Sequence, residues 1–356
     1  MSRFLQGDYR TLVPYQPGEQ PKRTERLIKL NTNENPYPPA PAVAAIMKDE
    51  ELRKLRLYPD PEATELTEAI ADHYGIRKDN VMVGNGSDEI LAFLLMAFQG
   101  RQGRVYYPEI SYSFYPVYCN LFHAEGIKVP LRQDFSIDQE HYYDLDGTIL
   151  ITNPNAPTGM ALEVDEIAEI LRRNRDNLVV IDEAYVDFGA ESAVRLITEH
   201  DNLLVVQTFS KSRSLAGARI GFAMGNEEII ADLNRIKFSF NPYNLNRLSI
   251  LAATEAMKDQ EYFQATCGKI RETRERFTES MKALGFSVLP SKANFVFASS
   301  GRISAETYFN ALREHHIIVR YFKNEKIRNF VRISIGTPEE MEALIQATKQ
   351  ILKAHA

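Results

Sequence analysis

The sequence predicts an α/β chain whose larger part is a layered domain on a mostly parallel sheet, and three observations carry that prediction. The first is a set of short apolar runs, GTILITN, NLVVID and NLLVVQTF, rich in β-branched residues and flanked by turn formers. The second is the stretch EVDEIAEILRRN between the first two, whose Ile and Leu recur at helical spacing. The third is that each run ends in polar residues: Asn153, Asp182, and Ser210 followed by Lys211. In an open α/β sheet the ligand-binding groups lie beyond the C-terminal ends of the strands, so these residues are candidates to converge.

Taken in order, the first sixty residues are crowded with proline and turn formers (VPYQPGEQP, NENPYPPAP, LYPDP), which suits an irregular arm. Residues 1–45 are read as this arm plus part of a small domain. EATELTEAIADHYG is an amphipathic helix, and the turn VGNGSDE leads into the apolar helix EILAFLLMAF with Ser87 or Asp88 at the capping position. The βαβ pattern that follows completes a large domain over 46–245. After NPYNLNRLSI one long helical region runs to ALGF. SVLPSKANFVFAS, a helix near 304–315, IIVRYF, VRISIG and a last helix then make an α+β small domain over 246–356.

A chain of 356 residues has room for one large core and one smaller one. Its net charge of −6, with signs mixed along the chain, argues against a nucleic-acid footprint or a polybasic membrane patch. Cys119 and Cys267 are far apart without a Cys-x-x-Cys spacing, and the histidines form no ligand pattern, so neither a disulfide framework nor a metal site is expected. The start, MSRFLQGDYR, lacks an apolar signal core, and no run approaches the ~18 apolar residues of a membrane helix. A cytoplasmic protein is expected.

Four motifs carry chemistry. In TFSKSRSLAGARIGF, Lys211 follows an apolar strand, and a lysine beside a crevice can form a Schiff base where its neighbours favour the neutral amine. Thr208 and Ser210 add hydroxyls and Arg219 a planar cationic fork, a set that suits a phosphate monoester. In VVIDEAY, Asp182 ends a strand and Tyr185 follows. With no histidine or cysteine cluster to complete a metal site, a buried cation is the preferred partner for Asp182. In GNGSDE, N–H groups at a helix start can receive a phosphate. The fourth is NPNAPTG, a rigid polar turn straight after the run Ile149, Leu150, Ile151.

In this order the motifs resemble the fold-type I pyridoxal-phosphate aminotransferases. That resemblance implies pyridoxal 5'-phosphate as cofactor, with Lys211 as the Schiff-base lysine and later the proton carrier at the substrate Cα. It implies Asp182 against the protonated pyridine nitrogen and Tyr185 on the phenolate oxygen. Arg219, Ser210, Thr208 and the Ser87–Asp88 turn would hold the phosphate, and Tyr112 of SYSFY would stack on the ring. Many relatives carry Asn immediately before PTG where this chain has Ala156, so the phenolate hydrogen bond is expected to fall to Asn155 or to be left to Tyr185.

LVPYQPG, LNTNENP, LYPDP, IIVRYF and VRISIGTPEE further resemble the histidinol-phosphate aminotransferases over almost the entire chain. By that resemblance Arg332 binds an α-carboxylate fork to fork, Arg320 meets the substrate phosphate with Tyr15 nearby, and Tyr58 reaches the cofactor phosphate of a neighbouring subunit in a homodimer. The implied reaction moves an amino group between L-glutamate and imidazole acetol phosphate by a ping-pong route. An aromatic amino acid aminotransferase is the runner-up, a phospho-amino-acid decarboxylase is a more distant reading, and a non-catalytic module that has kept the fold stands behind both.

Overall fold

A computed structural model describes residues 4, 7–21, 27–46, 48–100 and 102–355. Seven strands form the principal sheet in the order Val81–Gly84, Gly221–Gly225, Leu203–Thr208, Val179–Asp182, Thr148–Thr152, Arg104–Pro108, Glu125–Val129. The last five pair in parallel, and Gly221–Gly225 runs antiparallel to both of its neighbours. The three predicted apolar runs are the sheet's central strands and are buried at every position.

Burial on both faces follows from the two-residue period of a strand. Ile149, Ile151, Val179, Ile181, Leu203 and Val205 point into one apolar layer, shared with Leu66, Ile70, Ile167 and Ile170 of two helices. Leu150, Val180, Leu204 and Val206 point into the other, against Ile90, Leu91 and Leu94 of the helix Gly86–Ala97. The helix Val164–Arg173 occupies the place predicted for it, with Glu163 and Glu166 forming a capping box.

A second layer has its own core. Arg320–Tyr321, Phe330–Ser334, Phe295–Ser300 and Phe286–Val288 make an antiparallel sheet. The helices Gln260–Ala283, Ala305–Glu314 and Pro338–Ala354 contribute Ile270, Phe277, Tyr308, Leu344 and Ile351 to the same apolar cluster. The arm enters this layer through Ile28–Lys29, which pairs in parallel with Ile317–Ile318.

Two readings change. The long helical region is two helices, Arg247–Lys258 and Gln260–Ala283, separated by Asp259, whose carboxylate caps the second by accepting from the Tyr262 N–H at 3.2 Å. The first of them places Ile250, Ala253 and Met257 in the large core, so the break between cores falls at 259 and not at the expected 245/246. IIVRYF, read as one run, is split between two sheets, Ile317–Ile318 with the arm and Arg320–Tyr321 with Phe330–Ser334. Among the described residues no helix is long and apolar enough to cross a membrane, and no three His, Cys, Asp or Glu gather as a metal site. Cys119 and Cys267 are buried free thiols.

Candidate active site

The parallel register sets Thr152 directly beside Asp182, with Thr208 ending the next strand. A cavity of about 100 Å³ opens at this edge, lined by Ser87, Asp88, Thr152, Asp182, Thr208, Ser210 and Arg219 among others. Beside it lies a cavity of about 460 Å³ that takes in Tyr15, Arg320 and Arg332. Tyr112, Ala156, Tyr185 and Lys211 border both, so the lysine stands at the junction.

One end of the smaller cavity is built for an anion. The helix above it begins at Gly86 with Asn85 as its cap, which moves Ser87 and Asp88 from the expected cap position into the first turn, where N–H groups have no intrahelical partner. Two glycines let the backbone come this close. A Cβ on Gly221 would stand 2.4 Å from the Ser87 nitrogen, and one on Gly86, itself at φ +73°, would stand 2.5 Å from Arg219 Nη2. Arg219 Nη1 donates to Ser210 Oγ at 3.4 Å, and Thr208 Oγ1 donates to the same oxygen at 3.0 Å. Hydroxyls, a guanidinium and free helix N–H groups are together the chemistry a phosphate monoester asks for. The Asp88 carboxylate is turned to protein: it pairs with Arg219 Nη2 at 3.0 Å and accepts from the Tyr112 hydroxyl at 2.8 Å. It holds those two side chains in place, leaving its backbone N–H for an anion.

At the other end sits Asp182, 3 % exposed. Its oxygens accept from the Tyr115 hydroxyl at 2.8 Å and the Ala184 N–H at 3.2 Å, and it makes no ion pair among the described residues. Burial pushes its pKa up to about 6, against the pull of these hydrogen bonds. A buried carboxylate facing a cavity with no cation beside it fits an aromatic ring nitrogen that carries a proton. Tyr115 is a residue the sequence reading passed over. It lies in SYSFY beside the chosen Tyr112, and nothing in the spacing says which tyrosine turns inward.

Lys211 Nζ donates to the Thr32 carbonyl at 3.2 Å and lies 5.8 Å from the centre of the Tyr185 ring. The segment carrying Thr32 grips this region repeatedly: Asn35 Nδ2 donates to the carbonyls of Lys211 and Ser212, each at 3.1 Å, and Asn33 Nδ2 donates to the Tyr185 hydroxyl at 3.0 Å. LNTNENP was read only as a mark of resemblance. Its density of asparagines, which bond backbone groups readily, was the available signal that it does more.

The NPNAPTG turn corrects an expectation. Asn155 is buried and lines neither cavity. Its amide donates to the Ile110 carbonyl at 2.9 Å and to Thr158 Oγ1 at 3.3 Å, and its oxygen accepts from Ser111 Oγ at 2.8 Å. All of its polar capacity is used inside the turn, and the methyl group of Ala156 faces the cavities instead. Of the residues expected at the phenolate oxygen, Tyr185 alone borders the space.

In the larger cavity Arg320 and Arg332 are cross-strand partners. Neither forms an ion pair among the described residues. Arg332 Nη2 donates to the Asn31 carbonyl at 2.9 Å, while its buried Nε has no partner. Burial first, and then the charge of Arg320, lower the proton affinity of Arg332, the signature of two cations set side by side for an anion to join. Phe322 lies under both guanidinium groups, and Tyr15 stacks on Phe114 at 4.3 Å near Tyr112. Tyr58 is not among these residues: it is 80 % exposed and stacks on Tyr243 at 4.5 Å.

Comparison with known proteins agrees with this geometry. Residues 25–347 match the family model for aminotransferase class I and II. A histidinol-phosphate aminotransferase of Brachyspira hyodysenteriae is 52% identical over 354 residues, 99% of this chain and 100% of that one. Among solved structures, the histidinol-phosphate aminotransferase of Clostridium acetobutylicum superposes with a TM-score of 0.84 at 25% identity, covering 92% of this chain and 100% of the other. That of Sinorhizobium meliloti, solved in complex with pyridoxal-5'-phosphate, has a TM-score of 0.84 at 24% identity over 92% of each chain, and so speaks for the fold. A converging strand edge with a lysine at its centre, a family match over most of the length and a full-length relative at this identity lead to one conclusion: the chain belongs to the class I and II aminotransferases, among the histidinol-phosphate aminotransferases.

Proposed function

We propose that this protein is a pyridoxal-phosphate enzyme that transfers the amino group of L-glutamate to imidazole acetol phosphate, giving L-histidinol phosphate for histidine biosynthesis. The observation that carries the reading is the position of Lys211 between an anion-binding cavity closed by Asp182 and a second cavity holding the unpaired Arg320 and Arg332. When bound, the cofactor supplies an electron sink and a carrier for the amino group.

The chain's own residues do the rest. Ser87, Thr208, Ser210 and Arg219 hold the phosphate, and the Asp182 carboxylate keeps a proton on the ring nitrogen by opposing its charge. Tyr112 covers the ring, and Tyr185 donates to its phenolate oxygen. The Lys211 amine moves the proton at the substrate Cα from a position steadied by the Thr32 carbonyl. Arg332 takes the glutamate α-carboxylate in a bidentate pair. Arg320 takes the phosphate of the acceptor, with Tyr15 over the same cavity.

The reading includes a cytoplasmic homodimer. It is supported by free buried thiols and by exposed apolar side chains at Leu52, Leu55, Leu57, Tyr58, Phe240 and Tyr243. Apolar groups in this density suit a self-complementary interface, across which Tyr58 reaches the partner's phosphate site. To test the reaction, the pyridoxamine form is mixed with imidazole acetol phosphate or with phenylpyruvate and the return of the yellow form is followed. Faster return with phenylpyruvate, unchanged by Arg320→Ala, would replace this reading with an aromatic aminotransferase.

A further inference from the structure

We propose that Asn33 is a positioning residue that aims the Tyr185 hydroxyl proton into the cavity, and that this one proton sets the charge balance of the bound cofactor. The proposal rests on the smaller cavity being the pyridoxal-phosphate site.

It begins with the direction of each hydrogen bond. The Asn33 backbone N–H donates to Ser334 Oγ at 2.9 Å, and Ser334 Oγ donates its own hydrogen to Asn33 Oδ1 at 3.0 Å. An oxygen that is already receiving can only be a donor, so Asn33 Nδ2 must be the group that faces Tyr185. The Asn33 carbonyl in turn accepts from Asn294 Nδ2 at 2.9 Å. The side chain is 1 % exposed and its backbone sits at φ +56°, so it has no water to turn toward.

The Tyr185 oxygen therefore receives from Asn33, and its own hydrogen has no acceptor among the described residues. It is free to point at the phenolate oxygen of the bound ring. In this chain nothing shares that task, because Asn155 is spent inside its turn and Ala156 has no polar group. A proton donated to the phenolate stabilises its negative charge and so lowers the proton affinity of the nearby Schiff-base nitrogen. Asn33 thus acts on the cofactor through Tyr185 without touching it. Ser334, two residues from Arg332 on Phe330–Ser334, ties that setting to the small sheet.

The experiment titrates the absorbance of the holoenzyme and reads the apparent pKa of the cofactor band. In Asn33→Asp a carboxylate replaces the amide and draws the Tyr185 proton away from the cavity. The apparent pKa should rise by about one unit, tenfold in proton affinity. Tyr185→Phe should raise it at least as far, and adding Asn33→Asp to Tyr185→Phe should add nothing. Ala156→Asn, which supplies a second donor, should lower the pKa and shrink the Asn33→Asp shift.

The proposal is overturned if Asn33→Asp leaves the pKa alone while Tyr185→Phe moves it. It is equally overturned if Asn33→Asp shifts the pKa as much in the Tyr185→Phe background, since a bare field effect would do that. Should Asn33→Asp fail to fold, Ser334→Ala takes its place: it frees the amide to turn and should give a smaller rise, and no rise counts against the proposal. If borohydride fixes the cofactor to a lysine other than Lys211, the site reading fails and takes this proposal with it. A fixed Lys211 with no shift sinks the proposal alone.

Discussion

The two cavities meet at one lysine and are made in opposite ways. The smaller is assembled from the ends of neighbouring strands and one helix start, and its side chains hold one another: Tyr115 to Asp182, Asp88 to both Arg219 and Tyr112, Thr208 to Ser210. The larger is walled by the arm, by the loop after Arg104–Pro108 and by the small sheet, three segments from different parts of the chain. Its two arginines have almost no polar protein partners. Rigid parts shared by both halves of a ping-pong reaction sit in the sheet, and parts that tell substrates apart sit on segments that can vary without disturbing it.

The strongest test of this division removes the group common to both cavities. Lys211→Ala should lower kcat by roughly 10⁴-fold, the scale of a lost proton carrier, with both half-reactions slowed alike. Stopped-flow rates for each half-reaction check this, and a large loss in only one of them would break the division.

Next in size is a change confined to the larger cavity. Arg332→Lys keeps the charge and loses the fork, so KM for glutamate should rise about 10- to 100-fold, the cost of one charged hydrogen bond. The acceptor imidazole acetol phosphate has no carboxylate to offer Arg332, so its rate with the pyridoxamine form should change far less. Equal damage to both substrates would mean that Arg332 shapes the cavity and does not read the donor.

The contrast also explains what the sequence could tell. The strands of the large sheet were legible because burial on both faces demands unbroken β-branched runs, and their last residues fell where ligands bind. Lys211, Asp182 and Arg219 could be named as candidates for that reason. Asn155 misled because an asparagine beside a cavity has two possible uses, and its choice of Ile110 and Thr158 over a ligand is a matter of rotamer and packing. Asn33 and Tyr115 were missed because their partners lie 152 and 67 residues away. The domain break was misplaced because the helical pattern runs on either side of Asp259, and only tertiary packing decides that Arg247–Lys258 joins the large core.

The smaller cavity should show its function as a stability cost. Without cofactor, Asp182 is a buried carboxylate whose pKa is raised from 3.8 to about 6. The folded protein then binds a proton more tightly than the unfolded chain. This contribution is complete below the unfolded value and is lost as pH rises through about 6, amounting to about 3 kcal/mol at pH 8. Asp182→Asn does not titrate, though its amide meets donors placed for a carboxylate, at a cost of about 1 kcal/mol. The variant apoprotein should therefore be about 2 kcal/mol more stable than wild type at pH 8, and no more stable near pH 4. Urea denaturation of both apoproteins at the two pH values measures this, and a difference independent of pH would mean that Asp182 is not strained by burial.

The smallest effect belongs at the seam between the two layers, where Lys326 of the small layer reaches Glu109 of the large one at 2.6 Å across the rim of the larger cavity. The Lys326 side chain is 62 % exposed, so the attraction is screened by water and salt. An apolar cluster of Ile110, Phe297 and Ile327, with Phe135 and Phe330 against it, closes the same seam independently. Lys326→Ala should therefore lower stability by less than about 1 kcal/mol and move KM for either substrate by less than about threefold, with both differences gone at high salt. A tenfold rise in KM at low salt, vanishing when salt is added, would instead make this ion pair a latch over the substrate. The larger cavity would then have to be understood as a closing space, in contrast to the fixed one beside it.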